Sequence, residues 1–209
     1  DIAVIRFPFL NGAMSVARSH ALADAIRAAH DARIVLLTGG PEFWSNGIDL
    51  ATIEAAHSPA EESLTAIEAI DDVCLALLEA PGWTMAAMAG NAGAGGVFMA
   101  LAADHVTARA GTVLSPHYKN MGNLYGSEYW TYTLPRRLGA AGAAALMETR
   151  MPILAQEAAT LGLVDEARRG DPERFLSDVA AQAEALAASA DLEELIARKA
   201  IRRRADEAE

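Results

Sequence analysis

Two glycine-rich loops are the first places in the sequence where backbone groups suit chemistry. One spans Trp44–Leu50 (W-S-N-G-I-D-L) and the other Gly90–Gly96 (G-N-A-G-A-G-G). Each lies between a predicted strand and a predicted helix, and glycine lets the backbone approach a ligand with its N–H groups turned outward. Two such loops on adjacent parallel strands can direct two amides at one carbonyl oxygen, forming an oxyanion hole. Taken alone, either loop is better explained by tight turns and close helix–strand packing.

A segment rich in ionisable and hydroxyl side chains follows at Pro116–Gly139, which carries all four tyrosines of the chain. Glu128 is its candidate general acid or base, because a carboxyl group removed from water can exchange a proton with a substrate. The alternative is a glutamate at a helix N-terminus, stabilised by the helix dipole. His117 is a second candidate for proton transfer near pH 7, and its alternative is a structural histidine after Pro116.

The tyrosines of this segment are further candidates. Tyr129 and Tyr132 could orient a substrate or donate to it, and packing with a satisfied hydroxyl is the alternative for both. If the segment is helical, Glu128 and Tyr132 share a face and Tyr129 is turned away. Tyr125 precedes this helix and is expected to line a pocket.

Strand and helix patterns alternate along the chain and predict an α/β fold with parallel pairing. We predict a core over residues 1–165 and a helical C-terminal region over 166–209. Asp49 is expected to cap the helix that it begins, and Gly162 is a candidate C-cap. The predicted strands are 2–7, 33–38, 83–88, 104–109, 112–114 and 163–165. The predicted helices are 15–30, 49–56, 61–78, one from the second loop to 103, 127–137, 140–148 and 155–161.

Composition excludes several classes of protein. The 209 residues include 17 Lys and Arg against 28 Asp and Glu, a net charge of −11, which argues against a nucleic-acid partner. The single cysteine excludes an internal disulfide, and the five histidines show no metal-ligand spacing, so we expect no metal site. No apolar run is long enough to span a bilayer, and no signal peptide precedes the first strand. These features favour a cytoplasmic protein that does not bind membranes.

Four motifs in order resemble those of the crotonase (enoyl-CoA hydratase/isomerase) superfamily. They are N-G-A-M-S at 11–15, the Thr38–Leu50 segment, the Gly90–Gly96 turn and A-A-T-L-G-L-V at 158–164. The resemblance implies a crotonase-like spiral of β-β-α units with a helical C-terminal region. It also implies that the cofactor is coenzyme A, bound as an acyl thioester. It places the oxyanion-hole amides on Ile48 and Gly95. It further implies that substrate and CoA contact Asn11, Ala13, Asn46, Gly47, Leu50, Ala94 and Tyr125.

The sequence departs from this family at the two glutamates that its hydratases use as general acid and base. Phe98 occupies the position of the first glutamate, and Ser115–His117 replaces the segment that carries the second. Because adding water to an enoyl thioester needs positioned groups that deliver and remove protons, ordinary hydratase activity is doubtful.

The Pro116–Gly139 segment, together with the two loops, resembles the C-terminal half of a family of hydrogenase maturation factors. That resemblance implies an N-terminal partner domain in the same polypeptide that handles formyl-tetrahydrofolate. It also implies release of carbon monoxide from formyl-CoA as a ligand for the iron of a [NiFe]-hydrogenase. Because the sequence opens at Asp1 directly into a predicted strand, we expect a longer polypeptide.

Three functions stay open at this level. The leading hypothesis is a lyase that releases carbon monoxide from formyl-CoA. The second is hydratase, isomerase or hydrolase activity with relocated catalytic groups, and the third is a non-catalytic module that binds CoA or docks on its neighbour. Free-standing members of the superfamily form trimers through C-terminal helices, which leaves a homotrimer open for this chain.

Overall fold

The computed structural model describes residues 1–118, 126–149 and 151–206, and their elements confirm the predicted α/β class. The strands are β1 Ile2–Arg6, β2 Ala13–Met14, β3 Ile34–Thr38, β4 Phe43–Ser45, β5 Gly47–Ile48, β6 Trp83–Met88, β7 Asn91–Gly93, β8 His105–Arg109, β9 Val113–Ser115, β10 Ile153–Leu154 and β11 Glu166–Arg168. The helices are α1 Val16–Ala28, α2 Leu50–Ala55, α3 Pro59–Glu79, α4 Gly95–Leu101, α5 Trp130–Glu148, α6 Ala155–Leu161, α7 Pro172–Ala187 and α8 Asp191–Asp206.

The main sheet has five parallel strands in the order β1-β3-β6-β8-β11. Strands β3 and β6 pair in register from Ile34 beside Trp83 to Thr38 beside Ala87. Every residue of β3 is buried, which explains why its sequence I-V-L-L-T is a continuous apolar run. Helices α3 and α4 cover one face of this sheet, and α7 covers the other through Phe175 and Val179.

Short strands inside the predicted loops form the layers that carry the site. A four-stranded sheet has the order β10-β9-β7-β4, and β2 pairs in parallel with β5. The prediction that Trp44–Leu50 is a loop was therefore wrong where β4 and β5 form. Strands of two or three residues have too few positions to show alternation, and their pairing depends on partners distant in sequence.

The structure also corrects the helices and strands of the C-terminal half. Helices were predicted over 127–137 and 140–148, and α5 spans both. It begins at Trp130 rather than at 127, and Gly139, with φ +69°, forms a kink at the predicted boundary between the two. The last strand is Glu166–Arg168 rather than 163–165, and it completes the edge of the main sheet beside β8. Helix α6 and its left-handed C-cap at Gly162 are confirmed. Within the described ranges, none of the helices combines the length and apolar composition that crossing a bilayer requires.

Candidate active site

A cavity of about 450 Å³ opens beside the first glycine-rich loop. Its walls are apolar at Ile48, Leu50 and Ile53, and its polar side is formed by Tyr118 and Glu128. This volume and this mixture of apolar walls with a few converging polar groups are typical of a small-molecule site.

The second sheet brings the two glycine-rich loops together, as the sequence predicted. Strand β4 pairs in parallel with β7, and the indole Nε1 of Trp44 donates to the carbonyl oxygen of Gly96 at 2.9 Å. A methyl group built on Gly47 would lie 3.1 Å from the amide nitrogen of Gly95. The residues assigned to the oxyanion hole therefore belong to adjoining backbone segments.

Neighbouring amides hold both loops in place. The amide of Gly47 donates to Ser45 Oγ at 3.0 Å, that of Asp49 to the Met14 carbonyl at 3.1 Å, and that of Ala94 to the Ser115 carbonyl at 2.8 Å. Gly95 is the first residue of α4, and amides in a first helical turn have no acceptor within the helix. The convergence of the Ile48 and Gly95 amides on one substrate atom remains a prediction.

Strained backbone is concentrated around this site. Among the described residues, the non-glycine residues with positive φ are Asn11, Ala94, Glu128 and Tyr129. Such conformations cost about 1–3 kcal/mol each and persist where the surroundings fix them. Ala94 and Glu128 line the cavity, and the Asn11 carbonyl accepts a hydrogen bond from the cavity residue Asn46 at 2.9 Å.

A buried tyrosine–glutamate pair forms the polar side of the cavity. The hydroxyl of Tyr118 donates to Glu128 Oε1 at 2.5 Å, and the amide of Ser127 donates to Glu128 Oε2 at 2.9 Å. Glu128 is only 3% exposed. Burial raises the pKa of Glu128 to about 7, although the two hydrogen bonds oppose that rise; the nearby Asp71 adds to it. Burial and the Glu128 charge raise the pKa of Tyr118, so this phenol stays protonated near neutral pH.

Two glycines make room for the pair. A methyl group on Gly95 would lie 2.4 Å from Glu128 Oε1 and 2.9 Å from the Tyr118 hydroxyl. A methyl group on Gly126 would lie 2.2 Å from the Tyr118 ring. The carboxyl group of Glu128 thus lies directly against the residue assigned to the oxyanion hole.

Phe98, which the resemblance predicts to stand at the position of the first family glutamate, packs against Tyr118. Phe98 is fully buried in α4, and its ring stacks on Tyr118 with centroids 6.0 Å apart. An apolar ring at this position supports the tyrosine that holds Glu128. The carboxyl group available to the cavity comes instead from the turn that precedes α5.

Tyr132 and Tyr129 do not join Glu128 in the cavity. Because α5 begins at Trp130, Glu128 lies before the helix. Glu128 and Tyr132 therefore do not share a helical face, which they would have done in the predicted helix from 127. The Tyr132 hydroxyl donates to Asp206 Oδ2 at 2.5 Å. Tyr129 is 37% exposed and does not line the cavity.

The remaining predicted residues are divided between the cavity wall and its surroundings. Nε2 of His117 lies 3.1 Å from the Met151 carbonyl oxygen, away from the cavity lining. Ala13 supports the wall indirectly, because it pairs with Gly47 between β2 and β5. Tyr125 lies outside the described residues. Of the predicted binding residues, Asn46, Leu50 and Ala94 line the cavity, and so does Ile48 of the predicted oxyanion hole.

Sequence reasoning missed Tyr118, Asp71 and Gly126 as parts of the site. Tyr118 was noted only as a member of the tyrosine-rich segment, and its partner lies ten residues away. Asp71 lies on α3 and accepts a hydrogen bond from the amide of Glu128, which is 57 residues away in the sequence. No periodicity or motif in the sequence connects these positions.

The sequence model of the enoyl-CoA hydratase/isomerase family matches residues 2–209, so the chain belongs to this family, the crotonase superfamily. The hydrogenase maturation factor HoxX of Bradyrhizobium diazoefficiens is 49% identical over all of this chain and 37% of its own length. Enoyl-CoA delta isomerase 3 of Arabidopsis thaliana is 30% identical over 74% of this chain and 66% of its own length.

The fold agrees with this assignment. HypX from Aquifex aeolicus, crystallised in complex with tetrahydrofolic acid, superposes with a TM-score of 0.92 at 47% identity. The match covers 95% of this chain and 36% of HypX. The chain therefore spans little more than a third of HoxX and HypX.

Proposed function

We propose that this domain binds an acyl-CoA thioester and releases carbon monoxide from formyl-CoA during [NiFe]-hydrogenase maturation. One observation carries the proposal: a buried carboxyl group, Glu128, whose pKa is raised to about 7, lies against Gly95 at the end of an apolar cavity. A base with a pKa near the working pH combines a useful ionised fraction with a useful proton affinity.

The proposed reaction needs only one proton carrier. The Glu128 carboxylate takes the proton of the formyl C–H bond, and the electron pair of that bond stays on carbon. The C–S bond breaks, carbon monoxide leaves, and CoA departs as a thiolate. Glu128 then returns the proton to sulfur, so one formyl-CoA gives one carbon monoxide and one CoA thiol without an oxidant or reductant.

The chain's other groups support this step. The amides of Ile48 and Gly95 polarise the thioester carbonyl by donating to its oxygen, which withdraws electron density from the carbon and makes the formyl proton more acidic. The Tyr118 hydroxyl donates to one carboxylate oxygen of Glu128 and orients it. The proton of the substrate is taken by the Glu128 carboxylate and not by Tyr118. The apolar walls at Ile48 and Ile53 exclude water that would hydrolyse the thioester.

Similarity to HoxX and HypX supports the assignment to hydrogenase maturation. The tetrahydrofolate complex of HypX supports a folate-handling partner domain that supplies the formyl group. This partner belongs to the proposal, because the chain spans only part of those proteins.

Enoyl-CoA isomerisation is a second candidate, favoured by similarity to an enoyl-CoA delta isomerase. Moving a proton between two carbons of a thioester needs one base, and Glu128 supplies one. We rank formyl-CoA first because the similarity to HoxX covers the whole of this chain, whereas the similarity to the isomerase covers 74% of it.

The test incubates the full-length protein with formyl-CoA and monitors carbon monoxide through the absorption spectrum of haemoglobin. We expect gas release by the wild type and by Glu148→Gln, an exposed control at the end of α5, and none by Glu128→Gln. Turnover of an enoyl-CoA without gas release would favour the isomerase. CoA binding without turnover of either thioester would reduce the domain to a binding module.

A further inference from the structure

A second carboxylate, Asp71, lies behind Glu128 and binds its backbone. Asp71 Oδ1 accepts the N–H of Glu128 at 2.8 Å. Asp71 is half-buried on α3, between the fully buried residues Ile70 and Val73. Because α3 is anchored in the core on both sides of Asp71, the acceptor oxygen has a fixed position.

The backbone that Asp71 binds adopts an unfavourable conformation. Glu128 has φ +28° and Tyr129 has φ +52°, and neither is glycine. Non-glycine residues rarely adopt these conformations, so this turn relaxes unless another group fixes it. A hydrogen bond from an amide to a carboxylate is stronger than one to a neutral acceptor, so Asp71 is suited to fix the turn.

We propose that Asp71 is a positioning residue: its hydrogen bond to the Glu128 amide fixes the strained turn so that the Glu128 carboxyl group points at Gly95, and it places a second carboxyl group close to that turn. This rests on the proposed function, in which Glu128 takes a proton from the substrate. Asp71 does not line the cavity and acts only through Glu128.

The groups that face Glu128 come from three parts of the fold. Tyr118 donates to it, Ser127 donates its amide, and α3 presents Asp71 and the buried Cys74 thiol. Of these, Asp71 is the other carboxyl group. Burial raises the pKa of Asp71 itself, and the Asp71 charge adds to the rise that burial causes in the pKa of Glu128. Asp71 also raises the pKa of Tyr129 on the opposite side of the turn, where burial is the larger cause.

The next residue on α3 is a matched control. Asp72 is turned about 100° from Asp71 around the helix and pairs with Arg27 of α1. The Arg27 guanidinium lowers the pKa of Asp72, and neither group touches the Glu128 turn. A change at Asp72 therefore tests what loss of a carboxylate on this helix does in general.

The experiment compares Asp71→Asn, Asp71→Ala and Asp72→Asn in the full-length protein. Asparagine removes the charge but keeps an oxygen that can accept a hydrogen bond from the Glu128 amide. Alanine removes both the charge and the acceptor. The Glu128 carboxyl group is titrated without substrate by pH-difference infrared spectroscopy, with Glu128→Gln identifying its band. The pH profile of carbon monoxide release is recorded in parallel.

We expect Asp71→Asn to lower the pKa of Glu128 by about 0.5–1, with a plateau kcat close to wild type. Asp71→Ala should lower the plateau kcat about tenfold or more with little change in KM, because a misplaced base slows only the chemical step. Asp72→Asn should change neither quantity. An unchanged Glu128 titration in Asp71→Asn, or equal losses of kcat in Asp71→Asn and Asp71→Ala, would overturn the proposal. If the wild type releases no carbon monoxide, the substrate-free titration still decides whether Asp71 controls Glu128.

Discussion

At the scale of single residues, opposing influences act on one carboxyl group. Burial and the Asp71 charge disfavour ionised Glu128, whereas the Tyr118 hydroxyl and the Ser127 amide favour it. The balance places the pKa of Glu128 at about 7, between that of an exposed carboxyl and that of one buried without donors. In the proposed reaction, proton transfer near neutral pH depends on this balance rather than on the presence of a glutamate alone.

Replacing Tyr118 by phenylalanine tests this balance. The variant loses a donor to the ionised form, so the pKa of Glu128 should rise and the activity, which requires the carboxylate, should begin at higher pH. At neutral pH, carbon monoxide release should fall about tenfold, and raising the pH should restore part of it. The measurement is the pH profile of kcat/KM.

Tyr132→Phe is the comparison for that experiment. Its hydroxyl donates to Asp206 rather than to Glu128, so its pH profile should match the wild type. A Tyr118→Phe profile that also matches the wild type would show that the phenol does not govern Glu128. A shift in Tyr132→Phe would support the role that the sequence alone suggested for this tyrosine.

The Tyr118–Glu128 and Asp71–Glu128 contacts were not predictable from the sequence. The tyrosine-rich segment identified Glu128 as a candidate, and burial near the second glycine-rich loop supports that choice. The partners of Glu128 lie ten and 57 residues away, and a helix predicted from 127 gave Glu128 a different environment. Tertiary packing determines where the turn ends and which atoms it presents.

At the scale of elements, the long periodic segments were predicted well and the short ones were not. Strand β6 and helix α6 have the predicted bounds, since six strand residues, five of them buried, or two helical turns carry a clear pattern. Strands β2 and β5 have two residues each and form only because their loops meet. These short strands hold the predicted oxyanion-hole loop, so the least predictable elements position the site.

Helix α2 is a short element whose cap affects the cavity. Asp49 accepts the amides of Ala51 and Thr52, which confirms the predicted N-cap, and the helix supplies Leu50 and Ile53 to the wall. We expect Asp49→Ala to destabilise this helix by about 1 kcal/mol and to raise the KM for formyl-CoA more than it lowers kcat. Thermal unfolding and steady-state kinetics measure the two effects.

Asp171→Ala is the matched control, because Asp171 caps α7 by accepting the Arg174 amide at 2.8 Å. That helix packs on the other face of the main sheet. Both variants should lose similar stability, and only Asp49→Ala should change KM. Equal changes of KM would mean that the cap of α2 has no specific effect on the cavity.

At the scale of the whole molecule, α8 joins the main sheet to the helix that follows Glu128. Lys199 is 2% exposed, and its Nζ donates to Asp104 Oδ2 at 2.6 Å and to the Gly82 carbonyl at 2.9 Å. Seven residues later, Asp206 accepts the Tyr132 hydroxyl on α5. Residues beyond 165 therefore stabilise the part of the chain that contains the site.

Lys199→Ala should cost about 1.5–3 kcal/mol of unfolding free energy, because it removes a hydrogen-bonded ion pair of the buried Asp104 carboxylate, which then keeps Arg202 as a cation. The adjacent Arg198 pairs with Glu194 on the surface of the same helix, and Arg198→Ala should change stability by less than about 0.5 kcal/mol. Denaturant unfolding of both variants gives the comparison. Similar losses in the two would show that the buried pair adds nothing specific to α8 docking.

The central claim is that Glu128 removes the formyl proton as carbon monoxide forms. The most direct measurement compares single-turnover release of carbon monoxide from formyl-CoA carrying hydrogen or deuterium on the formyl carbon, with the full-length protein in excess. The account predicts slower release from the deuterated substrate by the wild type and no release by Glu128→Gln. Equal rates for the two substrates, or release by Glu128→Gln at the wild-type rate, would contradict it.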